Sequence, residues 1–142
     1  DLTVPPRARE VAGAATSMLM VVAACGGDEG SAEELCTALR ANPGVASTFT
    51  GFDPSDPRRA LEQLRSARVT LGELRDAAPG EVRDDLDVEI SYVQALVDGL
   101  DQVDDGDATA AVEVVRQVTA DHPDVAAAAA ALAAYSQERC GS

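Results

Sequence analysis

The chain has 142 residues, a mass of 14.6 kDa and a formal charge of −14, from 25 acidic residues against 11 basic ones. One domain fits that length, and the charge excludes unassisted nucleic-acid binding, which needs a cationic face toward the phosphates. An apolar fraction of 46% is too high for a disordered acidic tail, and an aromatic fraction of 3% asks for an aliphatic core of Ala, Val and Leu.

Val11–Ala24 is a run of apolar and small side chains preceded by Arg7 and Arg9. At 14 residues it falls short of the roughly 20 that a membrane-spanning helix needs. A basic flank, a short apolar stretch and small residues at its end have the form of a secretory signal. Val22-Ala23-Ala24-Cys25 resembles the lipobox of bacterial lipoproteins, and Gly26-Gly27-Asp28-Glu29-Gly30 looks like the tether that follows it. The resemblance implies cleavage before Cys25 and diacylation of its thiol. The competing reading is an N-terminal helix in which Cys25 is merely a small apolar residue. On the lipobox reading, residues 1–24 are signal peptide, 25–30 a flexible tether and 31–142 the folded domain.

If Cys25 takes the lipid, Cys36 and Cys140 remain, and export places them in an oxidising compartment. A disulfide between them would staple the first helix of the domain to the last. Free thiols and metal ligation are the alternatives, and the single His122 gives the latter no CxxC-type spacing.

Ser31-Ala32-Glu33-Glu34 has the capping-box spacing and predicts a helix to about Asn42, with Leu35 and Leu39 on its inner face. The Pro- and Gly-containing stretch from Asn42 to Pro57 reads as a long loop. Asp56-Pro57 starts a second helix. There Ala60, Leu64, Ala67, Leu71, Leu74 and Ala78 recur at alternating spacings of four and three before Pro79-Gly80 ends it. A third helix carries Val82, Leu86, Ile90, Val93, Val97 and Leu100 on one side and Asp84, Asp87, Gln94, Asp98 and Asp101 on the other. Asp104-Asp105-Gly106-Asp107 breaks that pattern and caps a fourth helix whose inner face is Val112, Val115 and Val118. Pro123 either kinks it or starts a further helix with Val125, Ala129 and Leu132 turned inward. Ala126–Ala131 favours helix and permits close approach of a neighbour. The expectation is an all-α, up-down antiparallel bundle of about four helices, the last kinked or split at Pro123. The second helix carries five arginines (Arg58, Arg59, Arg65, Arg68 and Arg75), whereas the third is acidic, so antiparallel packing would set opposite charges side by side.

The lipobox, Leu35-Cys36, Gly51-Phe52-Asp53-Pro54, the stretch from Leu74 to Asp85 and the cysteine near the C-terminus together resemble small helical lipoproteins of high-GC Gram-positive bacteria. The resemblance implies a place and an architecture and brings no active site.

The residues offer little chemistry. His122, directly before Pro123, suits a capping role better than a catalytic or metal-binding one. Most carboxylates fall opposite the apolar stripe, but Glu89 lies on the seam through Leu86 and Val93, either as a partly buried acid or as the partner of an arginine on the second helix. Asp101–Asp107 suggests a calcium loop but lacks ligands where Val103 and Val112 stand. Phe49 and Phe52 either close one end of the bundle or present an apolar anchor. The functional expectation is a non-enzymatic lipoprotein of binding or accessory-subunit type, without a cofactor. Lipid on Cys25 would hold it at the extracytoplasmic face of the cell membrane. The acidic face of Asp84, Asp87, Asp98 and Asp101 would be offered to a cationic cell-envelope protein. The alternative is a carrier of a small apolar ligand in a cavity within the bundle.

Overall fold

The computed structural model describes residues 30–45 and 52–141. Cys25, the signal segment and Phe49 lie outside the described residues. Among the described residues there are five helices: α1 (Ala32–Ala41), α2 (Pro57–Ala77), α3 (Gly80–Asp101), α4 (Ala108–Asp121) and α5 (Val125–Cys140). No strand occurs among the described residues.

The helix starts follow local chemistry. Ser31 Oγ accepts from the Glu34 amide at 3.1 Å, Asp56 from Arg59 at 3.2 Å and Asp107 from Ala110 at 3.0 Å. Each satisfies one of the orphan donors at a helix N-terminus. Pro79 precedes α3 with φ −68° and makes no side-chain cap. At the other break the chain splits rather than bends. His122 closes α4, Pro123 supplies no N–H to continue the ladder, and the Val125 amide donates back to the His122 carbonyl at 3.3 Å.

α3 is the central element. It packs against α2, α4 and α5, while α1 packs against α2 and α5. Its buried stripe is therefore wider than the sequence spacing suggests: Glu89, Tyr92 and Leu96 join Val82, Leu86, Val93, Val97 and Leu100, whereas Ile90 is only half-buried. The side chains of Leu35, Leu64, Leu71, Leu74, Leu86 and Leu96 are fully buried, each stabilising the fold by about 1.5–3 kcal/mol relative to exposure. Phe52 is half-buried and packs on this core, so it closes the interior rather than standing free.

α4 corrects the expected inner face. Val112 is 51% exposed, Ala111 is the buried residue of the helix, and Val114, Val115 and Val118 lean on the core from partly exposed positions. On α5 the inward residues are Ala128, Leu132 and Tyr135, with Val125 and Ala129 half-buried.

Two links tie α1 down. Cys36 and Cys140 form a disulfide with a Cα–Cα distance of 5.4 Å, joining α1 to the end of α5. The Gly30 amide donates to the Ala78 carbonyl at 3.2 Å, seating the residue before the α1 cap on the α2–α3 turn. A Cβ at Gly30 would stand 1.9 Å from the Ala77 carbonyl oxygen, so only glycine permits this approach.

Candidate interaction face

Where α2 meets α3, charge is laid out along the seam. Arg58 reaches Asp105, Arg65 reaches Asp101 at 2.8 Å, Arg68 reaches Gln94 and Arg75 reaches Asp87. Rising numbers on α2 meet falling numbers on the α3 side, so the two helices run antiparallel and the opposite charges sit beside each other as their sequences imply. The bond to Asp87 and its charge hold the Arg75 guanidinium above its ordinary value. These pairs are solvated, and exposed ion pairs contribute little to stability, so the ladder sets register more than strength.

The four aspartates expected to form one acidic face are not equivalent. Asp87 and Asp101 are engaged by Arg75 and Arg65. Asp98 accepts from Gln94 Nε2 at 2.7 Å, and Asp84 is exposed. Negative charge free of an arginine is therefore concentrated at Asp84 and Asp98, while the other two are partly neutralised within the chain.

Between the same helices runs a groove of about 730 Å³, lined by Val69, Gly72, Ile90, Ser91 and Ala95 and flanked by Arg68, Gln94 and Asp98. Val69 is 61% exposed and gives the groove an apolar wall. The groove opens on the surface, unlike the interior cavity that a carrier of a small apolar ligand requires.

The Asp101–Asp107 loop is bound up in structure. Asp101 and Asp105 meet Arg65 and Arg58, Asp107 caps α4, and Gly106 turns the chain at φ +85°. Asp101, Asp105 and Asp107 thus face cations and an amide that the protein already supplies. Among the described residues no group of three or more His, Cys, Asp and Glu is placed to hold a metal ion. Nor is any helix among them long and apolar enough to cross a membrane.

His122 has a structural position. Its Nδ1 lies 2.8 Å from the Val118 carbonyl, and its ring meets Tyr92 edge-on at 5.9 Å. Tyr92 in turn bonds Thr119 through its hydroxyl at 3.1 Å, fastening α4 to α3. Beside this junction Asp87, Val88 and Ser91 face Asp121 and Asp124 across a hollow of about 290 Å³.

Of the two readings of Glu89, the structure shows the buried acid and not the partner of an α2 arginine. Glu89 is 2% exposed, and its Oε2 has no hydrogen-bond partner. No α2 arginine reaches it, because Arg65, Arg68 and Arg75 turn outward to hydrated partners, which spares them desolvation. Burial pushes its carboxyl up to about 7, and the charge of Asp85, one turn earlier, adds to the effect. Among the described residues the Tyr135 hydroxyl is the second buried side-chain polar atom without a hydrogen-bond partner; burial and the nearby negative charge of Glu81 raise its pKa, and nothing in the alanine-rich sequence of α5 marks it.

The chain matches no known protein family, no characterised protein and no solved structure.

Proposed function

We propose that the protein is a lipid-anchored, extracytoplasmic lipoprotein of non-enzymatic type, a binding or accessory subunit that displays its acidic helical domain at the membrane surface. The observation that carries this reading is the Cys36–Cys140 disulfide, a bond that persists in oxidising compartments and is rare in reducing ones. With the second and third cysteines joined to each other, Cys25 is left as the thiol for acylation. In this reading the domain is an up-down four-helix bundle in which α1, α2 and α3 are three members and α4 with α5 is the fourth, split at Pro123. Residues 25–142 carry 23 acids against nine arginines, so a surface of anionic lipid repels the domain within about a Debye length, roughly 8–10 Å. That repulsion turns the α2–α3 face, with Asp84, Asp98 and the groove beside Val69, toward a cationic protein of the envelope.

Metabolic labelling with a fatty-acid probe tests the anchor. The wild-type chain expressed in a Gram-positive host should take up label and partition into detergent, and Cys25→Ser should do neither. Equal detergent partitioning of the two chains would overturn the reading.

A further inference from the structure

We propose that Glu89 makes this fold acid-favoured: with its carboxyl protonated the interior along α3 is closed, and loss of that proton loosens the packing around the central helix. The geometry is that of a carboxyl at 2% exposure on the helix that touches three others, with Oε2 unpartnered. A neutral carboxylic acid tolerates such a place at the cost of one unmade hydrogen bond. A carboxylate there is a buried charge with no cation to offset it.

The charged groups around α3 give no relief. On its own helix the acting neighbour is Asp85, whose negative charge opposes ionisation. From α2, Arg65, Arg68 and Arg75 are committed to Asp101, Gln94 and Asp87 on the solvated seam. From α4, Thr119 is bonded to Tyr92 and His122 to the Val118 carbonyl. From α5, Arg139 stands over the ring of Tyr135, 5.9 Å from its centroid, and the buried Tyr135 hydroxyl faces the negative charge of Glu81, which offers a carboxylate no relief either.

The direction of the pH effect follows from linkage. The carboxyl titrates near 4.3 in an unfolded chain and higher when folded. Between these two values the native state holds the extra proton, so raising the pH weakens folding. Below the unfolded value the effect is absent, and above about 7 the full penalty is present and constant.

Urea unfolding of the oxidised full-length chain from pH 5 to 8.5, wild type against Glu89→Gln, isolates this group from the other acids. The ratio of the two folding constants should change by about tenfold per pH unit between roughly pH 5 and 7 and then level off, with Glu89→Gln the more stable protein at pH 8. A ratio independent of pH would overturn the proposal. In the wild-type chain, carbon-13 NMR of side-chain-carboxyl-labelled glutamate should show one resonance titrating close to neutrality. Glutamates that all titrate below pH 5.5 would also overturn it, whether or not the variant folds.

Discussion

The backbone of Gly99 on α3 lies against Val114 on α4, so close that a Cβ added at Gly99 would stand 2.5 Å from Val114 Cγ1. Valine is stiff at χ1, and its methyl group cannot swing aside without moving α4. Gly99→Ala should therefore destabilise the domain by about 1–2 kcal/mol, overpacking outweighing the gain in helix propensity. Gly72 on α2 has nothing within 4 Å of the same built atom, so Gly72→Ala should stabilise by about 0.5–1 kcal/mol. Urea midpoints of the two variants should move in opposite directions, and a shared sign would contradict this packing of α4.

The covalent link between α1 and α5 closes a loop with a sequence separation of 104. Chain entropy for a loop of that size corresponds to about 4–5 kcal/mol as an upper figure. Reduction should lower the thermal midpoint sharply while far-UV helicity survives at room temperature, because α2, α3 and their shared core do not depend on the bridge. In the native, unreduced protein neither Cys36 nor Cys140 should react with an alkylating reagent.

Charge removal on α3 should divide the four aspartates into two pairs. Asn at Asp84 and Asp98 removes charge that no arginine holds, whereas Asn at Asp87 and Asp101 also frees Arg75 and Arg65. A cationic partner recovered by cross-linking from envelope preparations should be lost mainly with Asp84→Asn/Asp98→Asn, with its salt dependence reduced. Equal recovery by Asp84→Asn/Asp98→Asn, by Asp87→Asn/Asp101→Asn and by the wild type would make this face a solvated surface only.

Much of the helical architecture is readable residue by residue. Ser31, Asp56 and Asp107 are caps because short polar side chains before an apolar period have few other uses, and all three accept the amide bonds that the pattern implies. The spacing along α2 marks its buried face without error, since Ala60, Leu64, Ala67, Leu71 and Leu74 are all buried. α4 is harder. Its valines at 112, 115 and 118 suggest one stripe, but the helix packs most heavily on α3, where Ala111 is buried and Val114 meets Gly99, so that Val115 and Val118 stay on the core and Val112 is turned out. That choice depends on the shape of another helix and leaves no local trace.

The candidate site follows the same division. Opposite charge on α2 and α3 is visible in the sequence, and so is Glu89 as an interruption of the apolar seam. Which aspartates the arginines take is a matter of rotation about two helix axes, which periodicity does not resolve. Glu89 remains unpaired for an energetic reason: an arginine drawn inward to meet it would lose its hydration, whereas Asp87 and Asp101 meet their partners in water. The groove beside Val69 has no sequence signature, because a single exposed valine is ordinary.

The Cys36–Cys140 bond also decides how the domain transmits force. Residues 37–139 lie inside a covalent ring, and both chain ends leave it at the single point of closure. A pull applied between the N- and C-terminal segments runs from α1 through the sulfur bridge to the last turn of α5 and bypasses α2, α3 and α4. Before that load reaches the bridge, the Gly30–Ala78 contact is the first to yield, a weak link ahead of a strong one. Under such a pull the seat of Gly30 and the first turn of α1, up to Cys36, carry the load, while the helices that form the charged seam remain unstretched.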